Sequence, residues 1–358
     1  MTEEEEHDWL RVLRTVAPGT DLREGLENVL NARTGALIVV GDSKPVLDMM
    51  DGGFRIDAEL IPAYLYELAK MDGAIILSRD AKRILHANAQ LVPDPAIPSF
   101  ETGIRHRTAE RAAKQTGELV VAISQRRNII TLFKGPQKYV LRDTSVMLAK
   151  ANQALQTLER YRTVLDQALT NLGALEFEDL VTAADVVTVV QRGESVSRIV
   201  REVEHFIAEL GVEGRLISMQ LRELEHGVVD EARLVIRDYL AGDASEARCD
   251  EVRRELASWS GEELLDADAV ARLILGTGVA PSPGSSVSPR GHRLLRRIPR
   301  LPEPVIENLV ATFKRFPVIQ DATLEQLDDV EGIGAVRARS IHEGLGRLRA
   351  QFLVDRHL

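Results

Sequence analysis

Two short stretches in the first third of the chain contain residue types that could bind a nucleoside triphosphate. The first is Asp72-Gly73-Ala74, which leads directly into an apolar run at residues 74–77. A carboxylate at the edge of a strand can hold Mg²⁺ or Mn²⁺, and the small residues after it leave room for a nucleotide to approach the backbone. Asp-Gly is usually a turn, so this stretch alone indicates little.

The second stretch, residues 102–108, places Arg105 and Arg107 on either side of His106, with Thr108 after them. Guanidinium groups bind phosphate oxygens through two parallel hydrogen bonds, which suits a triphosphate. The stretch therefore indicates a phosphate-binding site.

The residues after this basic cluster predict a helix at 109–116, closed by Gly117. The cluster would then lie near a helix N-terminus, where anions are stabilised and uncompensated positive charge is unfavourable. A bound anion would remove that conflict. The alternative is a solvated basic turn with Glu101 and Glu110 as counter-ions, and these residues alone do not decide between the two.

Apolar runs alternate with helical patterns in residues 1–143, which predicts an α/β domain with a mixed sheet. Gly135-Pro136 predicts the turn of a hairpin between the last two strands. The predicted strands are residues 36–40, 74–77, 119–123, 129–133 and 138–141. The predicted helices between strands include residues 21–30 and 62–71.

Residues 144–275 predict an all-α region that we interpret as a helical spine. Apolar residues recur in steps of three and four from Leu148 to Leu172, which places one apolar stripe along a long helix. No catalytic constellation is present in this region. Shorter helices are predicted at residues 183–191, 195–210 and 214–224.

Gly, Pro and Ser dominate residues 276–286, which predicts a flexible linker. Residues 287–358 then predict a small all-α domain with a weak internal repeat of helix, tight turn and helix. The first turn is at residues 298–302 and the second at residues 330–334.

In the second turn Gly332 and Gly334 bracket Ile333, and Arg337 and Arg339 follow at the start of a predicted helix. Two glycines allow a tight turn with exposed N–H groups, and the helix N-terminus and both arginines suit DNA phosphates. The pattern matches the helix-hairpin-helix motif, which contacts the DNA backbone rather than the base sequence. These five residues are the predicted DNA-binding residues.

The alternative for this turn is a plain helical turn closed by glycine. The upstream turn at residues 298–302 resembles a degenerate copy, with prolines where glycines are expected. Residues 286–358 carry a net charge of +3, whereas the rest of the chain carries −13. The copy and the local positive charge favour DNA binding.

Composition excludes several classes of protein. A single cysteine, Cys249, cannot form an internal disulfide or a cysteine zinc site. No run of about 18 apolar residues is present, so we expect no transmembrane helix. The acidic residues 1–7 lack the features of a signal peptide. We therefore expect a cytoplasmic protein without a membrane partner.

The two stretches together resemble the diadenylate cyclase domain, in which the Asp-Gly-Ala motif precedes a Gly-x-Arg-His-Arg motif. Here Asp72-Gly73-Ala74 is followed about thirty residues later by Gly103 and by 105–107. Residues 88–93, Asn-Ala-Gln-Leu-Val-Pro, resemble that family too. With the helical middle and the terminal hairpin, the resemblance covers essentially all 358 residues. It implies an enzyme that joins two ATP molecules into cyclic di-AMP and releases two pyrophosphates.

The resemblance also implies the roles of the site residues. Asp72 would bind Mg²⁺ or Mn²⁺ and help to activate the attacking hydroxyl. Arg105, His106 and Arg107 would complete the catalytic set by gripping the triphosphate and stabilising the leaving pyrophosphate. The implied ATP-binding residues are Asp72, Gly73, Leu91, Gly103, Ile104, Arg105, His106, Arg107, Thr108 and Ser124.

Leu91 would border the adenine and Ser124 would contact phosphate, although ordinary strand-end packing explains either residue as well. Ile104 stands where some relatives have threonine, so a hydroxyl contact to phosphate is lost there.

Cyclase domains of this family meet face to face, each with one ATP, so the resemblance implies an assembly. The expected assembly is a homo-octamer of two tetramers with the helical middle as its spine. DNA, in particular branched DNA, would bind at residues 332–339 and could shift the cyclase geometry.

Two other functions remain open at this point. A non-enzymatic DNA-binding scaffold could use its first domain only to sense nucleotide, and it would release no pyrophosphate from ATP. A DNA repair nuclease could use the hairpins for targeting, but it would need a carboxylate cluster for two metals. The sequence around Asp72 contains no such cluster.

Overall fold

The computed structural model describes residues 3–276 and 284–356. The chain forms two compact units. The N-terminal unit comprises the described residues up to 153 together with residues 204–219, and the C-terminal unit comprises residues 154–203 and those from 220 onward. Residues 204–219 were expected in the spine, but Glu209 joins the first unit because its carboxylate accepts a hydrogen bond from the Tyr139 hydroxyl at 2.6 Å.

The N-terminal unit is built on a mixed, eight-stranded sheet, in agreement with the predicted fold class. The strand order is β2-β5-β4-β1-β6-β7-β8, and β3 also pairs with β5. Only β1 and β4 run parallel, and every other neighbouring pair in this sheet is antiparallel. The strands are β1 (Ala36–Val40), β2 (Met50–Asp51), β3 (Phe54–Glu59), β4 (Ala74–Leu77), β5 (Arg83–Leu91), β6 (Leu119–Ser124), β7 (Ile129–Lys134) and β8 (Gln137–Val140).

Alternate residues of the central strands point to opposite faces of this sheet and form two separate apolar cores. Helices therefore cover both faces. Ile38 packs in one core with Leu26 and Leu65, whereas its neighbour Val39 packs in the other with Ala109. The helices of this unit are α1 (Glu3–Thr15), α2 (Asp21–Asn31), α3 (Lys44–Asp48), α4 (Pro62–Leu68) and α5 (Ile104–Thr116).

The remainder of the described chain is helical, as the sequence predicts. Residues 183–191 and 195–210 were predicted as two helices, but they form one continuous helix, α7. Gly193 lies within this helix and does not interrupt it. A Cβ at Gly193 would lie 2.7 Å from the Cβ of Ala232, so glycine at this position allows close helix packing. The helices are α6 (Thr144–Glu178), α7 (Ala183–Leu210), α8 (Arg215–Glu225), α9 (Val228–Tyr239), α10 (Glu246–Ser258), α11 (Gly261–Leu265), α12 (Ala267–Leu275), α13 (His292–Arg296), α14 (Glu303–Phe313), α15 (Phe316–Gln320), α16 (Leu324–Asp328) and α17 (Ala335–Asp355).

The linker predicted at residues 276–286 falls largely outside the described residues, since 277–283 are not among them. Its last three residues, 284–286, are described, and Ser285 and Ser286 lie against the chain that leads into α7. The backbone N–H of Ala183 donates to the Ser285 carbonyl at 2.9 Å, and that of Val287 donates to the Val181 carbonyl at 3.0 Å. This end of the segment is therefore paired with preceding chain.

A buried charged network joins three helices of the C-terminal unit. Arg293 on α13 is fully buried and pairs with buried Glu176 on α6. The Tyr239 hydroxyl on α9 donates to the same Glu176 carboxylate at 2.9 Å. Asp238 accepts from the backbone N–H groups of Gly291, His292 and Arg293 at 2.7–3.0 Å, so it caps the start of α13 from another helix.

Among the residues that the structure describes, no helix combines the length and the apolar character needed to span a lipid bilayer.

Candidate active site and nucleic-acid interface

A cleft of about 1260 Å³ opens in the N-terminal unit where β4 begins, β5 and β6 end, and α5 begins. It brings together Asp72-Gly73-Ala74 and most of residues 102–108, which are separated in the sequence. The sequence-predicted site residues that line it are Asp72, Gly73, Leu91, Gly103, Ile104, Arg105, His106, Thr108 and Ser124. The predicted site is therefore assembled in one chain with a single exception, Arg107.

Gly73 allows β4 and β5 to lie close together directly after Asp72. Its φ is +99°, a conformation that side chains rarely adopt, and a Cβ at this position would lie 2.9 Å from the Ala89 carbonyl oxygen on β5. Since Ala74 pairs with Ala89 across β4 and β5, glycine lets these strands close together directly after Asp72. Asp72 is thereby held, exposed, at the rim of the cleft.

The basic cluster lies in the first turn of α5. The helix begins at Ile104, five residues before the predicted start, and Gly103 is its N-cap. Gly103 has no side chain to cap the helix, so the first N–H groups lack the usual side-chain acceptor. A helix start of this kind, with Arg105 beside it in the cleft, favours an anion.

Within one chain, Arg105 and Arg107 lie on different sides of α5. Consecutive helical residues are about 100° apart, so Arg107 points away from the side on which Arg105 and Thr108 line the cleft. The Arg107 Nε instead donates to the Glu101 carbonyl at 3.2 Å. The predicted role of Arg107 therefore stays a prediction that its position in this chain does not support.

Glu101 and Glu110 were the counter-ions of the alternative interpretation, and both have other partners. Buried Glu101 pairs with Lys138 and lies 3.7 Å from the Arg127 guanidinium. Glu110 lies 2.7 Å from the Lys114 ammonium. Among the described residues neither carboxylate forms an ion pair with Arg105, so the charge of Arg105 is available to a ligand.

His106 faces the cleft but is only 5% exposed. Its ring stands edge-on to Phe133, with the ring centroids 6.3 Å apart, and Nε2 has no hydrogen-bond partner among the described residues. Burial lowers the pKa of His106, Arg127 and Lys138 add to this effect, and the Glu101 carboxylate opposes it without cancelling it. The imidazole is therefore neutral near pH 7 and can direct one nitrogen toward a ligand.

This burial predicts a pH dependence of stability. The folded-state pKa of His106 lies below its ordinary value of 6.5. Between these two pH values the unfolded chain binds more protons than the folded chain. The free energy of unfolding is therefore highest above pH 6.5 and falls as the pH is lowered, by at most about 1.4 kcal/mol per pH unit. Denaturant unfolding at pH 5.5 and 7.5 should show a smaller difference for His106→Asn than for the unmodified protein. Identical pH dependence in both proteins would contradict this assignment.

Three charged residues of the cleft were missed by the sequence reasoning: Asp51, Arg126 and Arg127. Both arginines lie in the tight turn after β6, where the Ser124 Oγ accepts from the Arg127 N–H at 3.2 Å. Two adjacent arginines after a predicted buried strand are visible in the sequence, and this pattern could have identified them as site residues. Asp51 offered none, since β2 is only two residues long.

The predicted DNA-contacting turn lies between α16 and α17. Gly332 has φ +82°, whereas Gly334 is the N-cap of α17 with an extended φ of −118°. Only Gly332 therefore needs glycine for its conformation, which corrects the expectation for both positions. Ile333 is buried and anchors the turn, the Arg337 guanidinium donates to the Gly332 carbonyl, and Arg339 is exposed.

The upstream turn at residues 298–302 repeats this geometry with different residues. Arg300, with φ +62°, occupies the position of Gly332, and Pro302 is the N-cap of α14 as Gly334 is of α17. The glycine positions of the copy are thus held by Arg300 and Pro302, not by two prolines as expected. Proline lacks an N–H, so the first turn cannot offer the same backbone donor.

A divalent cation fits the cleft only if the ligand supplies most of its coordination. Within residues 3–276 and 284–356, no group of three or more His, Cys, Asp or Glu is placed to hold a metal. The cleft itself offers the carboxylates of Asp51 and Asp72. Mg²⁺ is commonly held by one or two carboxylates together with substrate phosphates, which agrees with this set.

Comparison with known proteins identifies the family. Residues 23–138 match the DisA bacterial checkpoint controller nucleotide-binding family and residues 141–281 the DisA bacterial checkpoint controller linker region. The DNA integrity scanning protein DisA of Symbiobacterium thermophilum is 61% identical over 99% of this chain and 100% of its own. That of Clostridium tetani is 57% identical over 99% of this chain and 98% of its own. Sequence identity over nearly the whole of both chains means that this chain belongs to the DisA family of diadenylate cyclases, which are nucleotidyltransferases.

Proposed function

We propose that this protein condenses two ATP molecules into cyclic di-AMP and two pyrophosphates. The observation that supports the proposal is one cleft that both Asp72-Gly73 and the N-terminus of α5 line. A carboxylate and a helix start with Arg105 are the groups that a metal-bound triphosphate requires. The large volume of the cleft suits a nucleotide.

In this proposal the N-terminal turn of α5 holds the phosphates. Arg105 and Thr108, on one side of the helix, bind phosphate oxygens, and neutral His106 donates or accepts one hydrogen bond from its buried ring. Positive charge placed there stabilises the charge that develops on the departing pyrophosphate. Ser124 and Leu91, at the ends of β6 and β5, would border the phosphate and the adenine.

Asp72 would hold Mg²⁺ or Mn²⁺ together with the phosphates, and Asp51 lines the same cleft. When bound, the cation would neutralise phosphate charge and acidify the 3′-hydroxyl that attacks. The same Asp72 carboxylate would orient that hydroxyl for in-line attack on the α-phosphate. Positioning and electrostatics then supply most of the rate enhancement.

The reaction needs two nucleotides whose 3′-hydroxyls attack each other's α-phosphates. Each chain has one such cleft, with one Asp72 and one α5 N-terminus. We therefore infer that two copies meet with their clefts face to face. A homo-octamer of two tetramers is our proposal for the full assembly. A monomer would bind ATP without cyclising it.

Mass analysis of the ATP reaction product tests the proposal directly. The full-length protein, incubated with ATP and either Mg²⁺ or Mn²⁺, should yield cyclic di-AMP and two pyrophosphates for each product molecule. A protein that only senses nucleotide would bind ATP and release no pyrophosphate. A linear dinucleotide as the final product would also contradict the proposal.

We further propose that the turn between α16 and α17 binds DNA through its phosphate backbone. The extended Gly334 at the start of α17 presents backbone N–H groups, and exposed Arg339 lies in the second turn of the same helix. This arrangement reads phosphates and not base sequence. Branched DNA bound here would alter cyclisation, which can be tested by measuring activity with branched and linear DNA at saturating ATP.

Arg339→Ala is expected to weaken DNA binding about equally for all sequences, because it removes one phosphate contact. The slope of log affinity against log salt concentration should fall by about 1. Arg347→Ala is the matched control, since Arg347 is an exposed arginine further along α17. Fluorescence anisotropy with labelled duplex and branched DNA measures both. An unchanged salt slope in Arg339→Ala would contradict the phosphate contact.

A further inference from the structure

A second cleft, of about 400 Å³, lies within the C-terminal unit between α9, the start of α10, α13 and the start of α14. Four carboxylates and five arginines line it, so its lining carries a net positive charge. The arginines are Arg233, Arg237, Arg293, Arg296 and Arg297. Neither the predicted nucleotide site nor the predicted DNA-binding turn includes any of them.

The carboxylates of this cleft are shared between arginines. Glu231 lies 3.3 Å from the Arg293 guanidinium and 3.0 Å from that of Arg297. Glu303 lies 3.2 Å from Arg296 and 3.6 Å from Arg237. Because one guanidinium has five N–H donors, a shared carboxylate leaves donors of each arginine available for another acceptor.

Two of the arginines are incompletely paired. Arg233 meets its nearest carboxylates, Asp250 and Glu246, at 3.5 and 3.7 Å, longer than the usual 2.7–2.9 Å of a charge-assisted hydrogen bond. Arg293 is fully buried, and its Nε has no hydrogen-bond partner within the described part of the chain. Buried donors without partners are rare and commonly mark an ion or water that completes the site.

We propose that this arginine cleft binds a small phosphorylated anion. Its volume is near the lower end of the range for small-molecule sites, which fits inorganic pyrophosphate or a mononucleotide. The planar guanidinium matches phosphate oxygens bidentately. Arg233, Arg296 and Arg297 are partly exposed, so an anion in the cleft can reach them.

Such a ligand would connect α9 to both helices that flank the turn at residues 298–302. Arg296 and Arg297 are at the end of α13, just before this turn, and Glu303 begins α14, just after it. A phosphate bound between them and Arg233 on α9 would therefore stabilise the packing of the first helical repeat. This inference does not depend on the cyclase reaction.

Cys249 is a specific reporter because it is the only cysteine in the chain and lines the arginine cleft. It is buried, and burial raises the pKa of its thiol, so a thiol reagent modifies it only when this region opens. The rate at which methyl methanethiolsulfonate modifies Cys249 in the full-length protein is measured by mass spectrometry. Separate samples contain pyrophosphate, AMP, or KCl at matched ionic strength. At ten times the dissociation constant, a bound anion should slow modification about tenfold. The compound that protects at the lower concentration identifies the source of the phosphate.

Arg233→Gln and Arg296→Gln test whether protection arises in this cleft and not from a nucleotide at the cyclase site. Both side chains are partly exposed, so the variants should fold, and each should lose most of the protection. Arg347→Gln, an exposed arginine that does not line the cleft, should retain it. The proposal is overturned if neither anion protects Cys249, if KCl protects as well, or if protection persists in both variants.

Discussion

Asp72→Asn is expected to lower the rate of cyclic di-AMP formation by about 10²–10⁴-fold, because a metal-binding carboxylate contributes several kcal/mol to the transition state. Asparagine has nearly the same size but no charge, so it cannot neutralise a cation. Asp72 is exposed at the cleft rim, and its replacement should leave the fold intact. Liquid chromatography with mass detection of cyclic di-AMP, at saturating ATP and metal, measures the effect.

The matched control for this variant is Asp48→Asn. Asp48 is an exposed aspartate on α3 in the same unit, and it does not line the cleft. Its replacement should leave activity unchanged. ATP affinity without metal should be nearly equal in Asp72→Asn and the unmodified protein, since Arg105 and the start of α5 are untouched. Near-normal turnover in Asp72→Asn would refute the proposed role of this carboxylate.

The central strands of the sheet could be predicted because they are buried on both faces. β1 and β4 are apolar at every position and were predicted with the observed bounds, and β6 extends one residue further. β3 and β5 were missed. β3 is largely exposed at the sheet edge, and β5 contains a positive φ at Asn88 and register shifts against β4. Local apolar pattern does not reveal such irregular pairing.

The residue types of the candidate site were visible in the sequence, but their orientation was not. The α5 helix was predicted to begin too late because Gly103 provides no capping side chain, which is the usual signal of a helix start. Starting the helix at Ile104 is what places Arg105 in the cleft and directs Arg107 to the Glu101 carbonyl. One helical boundary thus decides which arginine can reach a ligand.

The buried network of the C-terminal unit had no sequence signal at all. Glu176, Asp238 and Arg293 lie on three helices and are separated by more than fifty residues each. In the sequence each looks like an ordinary charged residue on a helix surface. Only tertiary packing brings them together, so interpretation of this region as a plain spine overlooked its most constrained residues.

Arg293→Met is expected to lower the free energy of unfolding of the C-terminal unit by about 3–5 kcal/mol. Methionine fills similar space but leaves the buried Glu176 carboxylate with only the Tyr239 hydroxyl as a partner. A buried charge without a partner lowers the free energy of unfolding far more than the loss of the small net attraction of the ion pair does. Urea unfolding followed by circular dichroism measures the change, and Arg347→Met, at an exposed arginine, should alter stability by less than about 0.5 kcal/mol.

Glu176→Leu combined with Arg293→Met should restore much of this stability, because no unpaired charge then remains in the core. Acid should also partly rescue Arg293→Met alone. Burial raises the pKa of Glu176, so the folded protein binds more protons than the unfolded chain between the two pKa values. The stabilisation that protonated Glu176 provides is complete at low pH and is lost as the pH rises through the folded-state pKa. If the double variant were less stable than Arg293→Met, and if acid did not help, lost packing and not an isolated carboxylate would explain the effect.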